Sequence, residues 1–195
     1  MFWGAAAFVP AAMPAIQAPV APQQKTEPMA ATQETQLTES NWQQSPQILA
    51  IRAIVAPINA GLKTRAYKIS ERGFKNCENA FLVVKRIAKD SKGAPAWYEN
   101  YSEGEDASWD FQYYYDQSGH LRFVFAIARS PNGTREQLRI YFDENGKRLW
   151  KTDKLLKGEG CPGCFSAYTD SDKALVFNPT DDFANKEGCE EVKPK

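Results

Sequence analysis

The chain has 195 residues, and its apolar content of 43% is sufficient for the buried core of one domain. Its 24 basic residues balance its 24 acidic residues, so a nucleic-acid partner is not expected. Residues 1–22 are apolar, uncharged and interrupted by prolines. This composition predicts a secretory signal region and argues against stable membrane insertion, whereas an uncleaved disordered leader is the alternative. Residues 23–44 are rich in Gln, Thr and Ala and are predicted to form a disordered polar linker.

Residues 45–195 are predicted to form a single α+β domain. Its first element is a helix that starts at Ser45 and Pro46, because proline favours the first helical position. Apolar residues then recur at helical spacing, at Ile48, Ile51, Val55, Ile58 and Leu62. Pro57 lies inside this run and predicts a kink or a division into two shorter helices.

A hairpin pattern occurs twice in the second half of the chain. Residues 114–123 and 141–150 each contain an aromatic pair, an Asp, two polar residues and a Gly, and then return to apolar residues. Asp116 and Asp143 can accept hydrogen bonds from the backbone of a turn, and the glycines supply the positive φ of a tight turn. A further turn signal at residues 130–134 separates the two copies, so the region is predicted to be a four-strand antiparallel meander.

Alternation along the predicted strands indicates one continuous apolar sheet face. The groups that share a face are Trp109, Phe111, Tyr113 and Tyr115, then Leu121, Phe123, Phe125 and Ile127, then Leu138, Ile140 and Phe142. Such a face must be covered, and the helix is the strongest candidate to cover it. The predicted fold is therefore α+β, with an N-terminal helix packed on an antiparallel β-meander of about six or seven strands.

Four cysteines carry the most specific chemistry in the sequence. They are Cys77, Cys161, Cys164 and Cys189. In an exported chain an even number of cysteines indicates structural disulfides, for which three pairings exist. A zinc site made of four thiolates and a redox site at Cys161 and Cys164 are the alternatives. We expect disulfides and no bound metal.

The sequence contains no strong catalytic signature. His120 is the only histidine and lies in a predicted turn. Carboxylates cluster at Glu99, Glu103, Glu105, Asp106 and Asp110, and a solvated acidic loop explains them without catalysis. A small hydrolase that uses this loop is the alternative. No catalytic residue and no cofactor is therefore assigned.

The hairpins at residues 114–120 and 141–147 resemble those of uncharacterised exported bacterial proteins, and they are also similar to MORN-type hairpin repeats. This resemblance implies a non-catalytic exported module and carries over no functional residue. We therefore expect a binding or interaction module, periplasmic or extracellular, with a protein or glycan partner. The candidate binding residues are Trp97, Tyr98 and Tyr101, because exposed aromatic side chains supply contact area for a partner or a glycan.

Overall fold

The computed structural model describes residues 36–160, 164–165, 168, 171–186 and 188–193. A 3-10 turn at Trp42–Gln44 leads into helix α1, Pro46–Lys63, which runs through Pro57 as one element. The strands are β1 Lys68–Cys77, β2 Ala80–Lys89, β3 Pro95–Glu103, β4 Ser108–Tyr115, β5 Leu121–Arg129, β6 Arg135–Phe142, β7 Arg148–Lys157 and β8 Glu190–Val192. A 3-10 turn at Asp172–Ala174 and the short helix α2, Pro179–Ala184, lie between β7 and β8. The predicted signal region, residues 1–22, lies outside the described residues.

The strands form one antiparallel sheet in the order β7-β6-β5-β4-β3-β2-β1-β8. The predicted combination of a long helix with an antiparallel meander is confirmed. The predicted count of six or seven strands is wrong, because the sheet has eight. Strand β8 was missed since its three residues, Glu190–Val192, are too short and too acidic to produce an alternating apolar pattern.

Four of the hairpin loops share one five-residue geometry, at residues 90–94, 116–120, 130–134 and 143–147. In each loop the amide of the first residue donates to the carbonyl of the fifth, as Asp116 does to His120 over 3.0 Å. The fourth residue is a glycine with positive φ, for example 82° at Gly119. The Asp116 carboxylate also accepts hydrogen bonds from the amides of Ser118 and His120, at 2.9 and 3.0 Å. The predicted turns are thus confirmed.

Helix α1 packs on one face of the sheet, which we call the helix face. Ile48, Ile51 and Ile58 of α1 are buried there. They meet an aromatic floor that comprises Trp97, Tyr114, Phe123 and Tyr141. Trp42 is buried in the same cluster, with its ring stacked on Trp150 at 6.0 Å, although the sequence places it in the polar linker.

The opposite face, which we call the tail face, is covered by residues that follow β7. Phe165 and Leu175 are buried against it. The sheet residues beneath them include Phe111, Tyr113, Tyr115, Leu138, Ile140 and Phe142. The expectation that helix α1 covers these residues is wrong, because α1 lies on the other face. The segment after β7 has no regular apolar period, so its covering role left no periodic signal in the sequence.

A β-bulge separates two residues that the alternation placed on the same face. Tyr115 pairs with Leu121, but Tyr114 pairs with Phe123, so β5 contains one extra residue at this point. Leu121 therefore faces the tail-face core and Phe123 faces the helix. The prediction of one continuous apolar face is accordingly wrong, because Leu121 lies on the tail face with the other two groups whereas Phe123 and Phe125 lie on the helix face.

One disulfide joins Cys77, at the end of β1, to Cys189, which directly precedes β8. The two cysteines are separated by 112 positions in the sequence. The bond therefore fixes the end of the described chain beside an early strand. Within the described part of the chain, no helix is long and apolar enough to cross a membrane.

Candidate functional site: a groove between helix and sheet

A groove of about 490 Å³ lies between helix α1 and the helix face of the sheet. Its helix side is lined by Arg52, Val55, Ala56, Asn59 and Lys63. Its sheet side is lined by Gln112, Tyr114, Phe123, Phe125, Arg139 and Tyr141. The volume falls within the range of about 300–1,000 Å³ that is typical of small-molecule sites.

The groove exists because α1 covers only part of the helix face. Strand pairing aligns an aromatic row beneath the helix, which runs through Trp97, Tyr114, Phe123, Tyr141 and Trp150. The next row, two residues along each strand, runs through Glu99, Gln112, Phe125, Arg139 and Thr152. The second row is polar except for Phe125, and the groove lies where the two rows meet.

Three cations line the groove, and none of the described residues that line it is a carboxylate. The Arg52 guanidinium donates to the carbonyl of Gln43 at 3.2 Å and lies 5.4 Å from the centroid of the Trp42 ring. The guanidinium of Arg139 lies 6.0 Å from the centroid of Phe125. Among the described residues, neither these arginines nor Lys63 forms an ion pair. The groove is therefore an uncompensated positive region over an aromatic floor.

A chain of polar side chains crosses the floor of the groove. The Tyr114 hydroxyl lies 2.9 Å from Asn59 Oδ1 and 3.0 Å from Gln112 Oε1, so its one proton is shared between two acceptors. Burial raises the pKa of Tyr114 to about 12, which keeps the phenol protonated at neutral pH. The other end of the Gln112 amide donates from Nε2 to Asp110 Oδ1 over 3.5 Å. The chain thus links the helix to an acidic residue just beyond the groove.

The aromatic residues expected to bind a partner do not lie together. Trp97 is buried on the helix face beneath α1, with 6% of its surface exposed. Tyr98 is buried on the tail face, where its hydroxyl bonds the carboxylate of Asp182. Tyr101 is half-buried, and its hydroxyl donates to Glu103 over 3.3 Å. Of the three, only Tyr101 presents a partly accessible ring.

The acidic residues are likewise divided among several environments. Glu99 and Asp110 lie in strands, at half-buried positions. Glu103, Glu105 and Asp106 are exposed at and beyond the end of β3. Burial raises the pKa of Glu99, although Arg86 opposes the shift by donating to its carboxylate over 2.5 Å.

A buried lysine anchors α2 on the tail face. The Lys85 ammonium donates to the carbonyls of Asp182 and Asn185, at 3.0 and 3.3 Å, and lies 3.3 Å from the Asp182 carboxylate. Carbonyls at the end of a helix carry partial negative charge and attract a cation. Because the same carboxylate also holds Tyr98, this cluster attaches the covering segment to the sheet.

The cysteines lie at the other end of the tail face. Cys77, Cys164 and Cys189 line one pocket of about 450 Å³, beside the rings of Trp109 and Tyr168. Cys161 lies outside the described residues, so its predicted pairing stays a prediction. In the described ranges no group of three or more His, Cys, Asp or Glu side chains is arranged to hold a metal ion. His120 is exposed in its turn, with Nδ1 3.7 Å from the Asp116 carboxylate.

Sequence reasoning missed the cations of the groove. Arg52, Lys63 and Arg139 lie on different elements, and only the strand register and the position of α1 bring them together. Nothing in the helical pattern indicated which strands the polar side of α1 faces. Comparisons of the chain with protein-family models, curated proteins and solved structures find no match.

Proposed function

We propose that the protein is an exported binding module and that the groove between α1 and the sheet is its ligand site. The observation that carries this proposal is the set of three cations, Arg52, Lys63 and Arg139, without carboxylate partners above an aromatic floor. Such a site fits an organic anion with an apolar or aromatic body. Export is supported by the Cys77–Cys189 disulfide, since disulfides persist mainly in oxidising compartments.

The two parts of the site make different contributions to binding. A guanidinium such as that of Arg139 pairs with a carboxylate or sulfonate through charge-assisted hydrogen bonds. Phe125, which is only half-buried, supplies flat apolar area, and aromatic side chains lose little conformational entropy when they bind. The amides of Asn59 and Gln112 are held by the Tyr114 hydroxyl and offer fixed polar contacts.

The groove favours binding over catalysis. The part of its lining that the structure describes contains no carboxylate, histidine, cysteine or serine, which are the groups most often used as nucleophiles or general bases. Tyr101 stays a candidate contact for a protein or glycan partner, since its ring is partly accessible on the helix face. An acidic group of such a partner would bind at Arg52, Lys63 and Arg139 in the groove.

The proposal is tested with 8-anilinonaphthalene-1-sulfonate, an aromatic anion whose fluorescence rises in apolar surroundings. We expect saturable binding to the folded protein, weakened about tenfold by Arg139→Gln, which corresponds to about 1.4 kcal/mol for one charge-assisted contact. Arg135→Gln is the matched control, since Arg135 is an exposed residue of the same strand outside the groove lining.

The uncharged analogue N-phenyl-1-naphthylamine distinguishes the contribution of the charge to binding from that of the ring system. We expect it to bind wild type and Arg139→Gln with equal affinity. Circular dichroism of each variant verifies that the fold is retained. If Arg139→Gln binds the sulfonate as tightly as wild type and the control Arg135→Gln do, the groove is not the anion site and the proposal is wrong.

A further inference from the structure

One carboxylate lies just beyond the groove without a cationic partner. Asp110 projects from β4 on the same face as Gln112, whose amide reaches it over 3.5 Å. Its cross-strand neighbours on the helix face are Tyr101 and Ile127, neither of which carries charge. Among the described residues Asp110 forms no ion pair. An unpaired anion therefore lies next to a groove whose own charges are unpaired cations.

The charge beside Asp110 is also negative. Arg86 donates both to Glu99 over 2.5 Å and to Glu71, so that one cation holds two carboxylates. The trio carries one negative charge, because one positive and two negative groups sum to −1. The helix face around Glu99 and Asp110 is therefore net negative, although Arg129 of β5 lies one row beyond Asp110, whereas the groove lining on α1 and β6 is positive.

We propose that the ligand of the groove is zwitterionic, a short peptide with a free carboxylate and a free ammonium group. The carboxylate pairs with Arg139 and Lys63, and the ammonium group pairs with Asp110. The inference rests on the proposed function, because it takes the groove as the anion site and adds a second contact at its acidic border.

The spacing of the strands fits a peptide of two or three residues. Asp110 and Arg139 lie two strands and two residues apart, about 10 Å across the sheet and about 7 Å along it, so their backbones are separated by about 12 Å. A peptide of that length spans about 7–10 Å when extended, and the long side chain of Arg139 can close the remaining distance. Its side chains would lie on Phe125, whose strand runs between the two charged contacts.

A simple anion leaves part of this surface unused. Asp110 gains nothing from a carboxylate at Arg139 and repels any anionic group that extends past Gln112. An ammonium group gives Asp110 the cationic partner that no described residue provides. Opposite charges at the two borders also fix the direction of the peptide in the groove.

The experiment compares three forms of one dipeptide by isothermal titration calorimetry. These are Leu-Leu, N-acetyl-Leu-Leu, which keeps only the carboxylate, and Leu-Leu-amide, which keeps only the ammonium group. We expect Leu-Leu to bind about tenfold more tightly than either blocked form, as a second charge-assisted contact would produce. Asp110→Asn is expected to abolish the advantage over N-acetyl-Leu-Leu without weakening the acetylated form.

Asp106→Asn is the matched control, since it removes the same charge at an exposed position in the turn before β4. If Leu-Leu and N-acetyl-Leu-Leu bind equally and Asp110→Asn changes neither, the zwitterionic ligand is wrong. If Arg139→Gln still weakens the binding of N-acetyl-Leu-Leu in that case, the groove remains the anion site. If no form of the dipeptide binds while the sulfonate probe does, the peptide inference is again wrong and the groove stands. If the sulfonate probe also fails to bind, both proposals are wrong.

Discussion

The Cys77–Cys189 disulfide is expected to supply a large part of the free energy of unfolding. It closes a ring between residues 112 positions apart. In the chain-entropy account, a cross-link across a loop of that length destabilises the unfolded chain by about 5 kcal/mol at 25 °C. This is comparable with the lower end of the total free energy of unfolding of a domain, about 5–15 kcal/mol.

The change to test is the double variant Cys77→Ala/Cys189→Ala. Urea unfolding, followed by tryptophan fluorescence, gives its free energy of unfolding beside that of wild type. We expect a loss of about 5 kcal/mol, or a chain that is unfolded without urea. Cys77→Ala alone is the control, with its remaining thiol alkylated. Its free energy of unfolding is expected to fall by as much as that of the double variant, because both variants lack the cross-link. Packing of the sulfur atoms should add little, since both cysteines are only half-buried.

A loss of less than about 1 kcal/mol in the double variant would refute this reasoning. It would show that the unfolded chain is already restricted, or that the bond strains the folded protein by an equal amount. A single variant that loses much less than the double variant would assign the effect to packing of the sulfur atoms instead.

Three further predictions concern the turns and the tail face. Gly133→Ala is expected to cost about 1–2 kcal/mol in urea unfolding from backbone strain alone, because φ is 85° there and a methyl group meets no atom within 4 Å. A free energy of unfolding equal to that of wild type would contradict this prediction for Gly133→Ala. Lys85→Met leaves the Asp182 carboxylate without its cation and is expected to lower the free energy of unfolding by about 3 kcal/mol, whereas Lys173→Met on the exposed surface should cost little. Although burial opposes it, hydrogen bonds from turn amides and from Arg122 hold the pKa of Asp116 below its usual value. The stability that this carboxylate contributes is therefore present above its unfolded pKa, about 4, and is lost as pH falls through its folded pKa. Asp116→Asn should accordingly make the free energy of unfolding depend less on pH in this acidic range.

The hairpins were predictable because their determinants are local. Each loop at residues 116–120 and 143–147 contains its own Asp, which accepts from turn amides, and its own Gly with positive φ. Helix α1 was predictable because its period is visible in one continuous stretch. In these cases the residues that specify the structure are adjacent in the sequence.

The covering of the two faces was not predictable in the same way. Aromatic residues occupy both faces of β4, so Tyr113 and Tyr114 contribute to different cores. The last three residues of this strand are consecutive buried tyrosines, and such a run does not show which face α1 takes. The bulge between Tyr114 and Tyr115 adds an offset that depends on the pairing of two strands. The groove depends on the same long-range register, so its cations were not recognised from the sequence.

The order of the strands determines the order in which they can form. Six of the seven strand pairings join neighbours in the sequence, and only β1 with β8 joins distant segments. Short loops close at low entropic cost, whereas a loop that contains β2 to β7 is more costly to close. We therefore expect the meander to form hairpin by hairpin and β8 to dock last. Since the Cys77–Cys189 bond lies at that final contact, its formation would report that the sheet is complete.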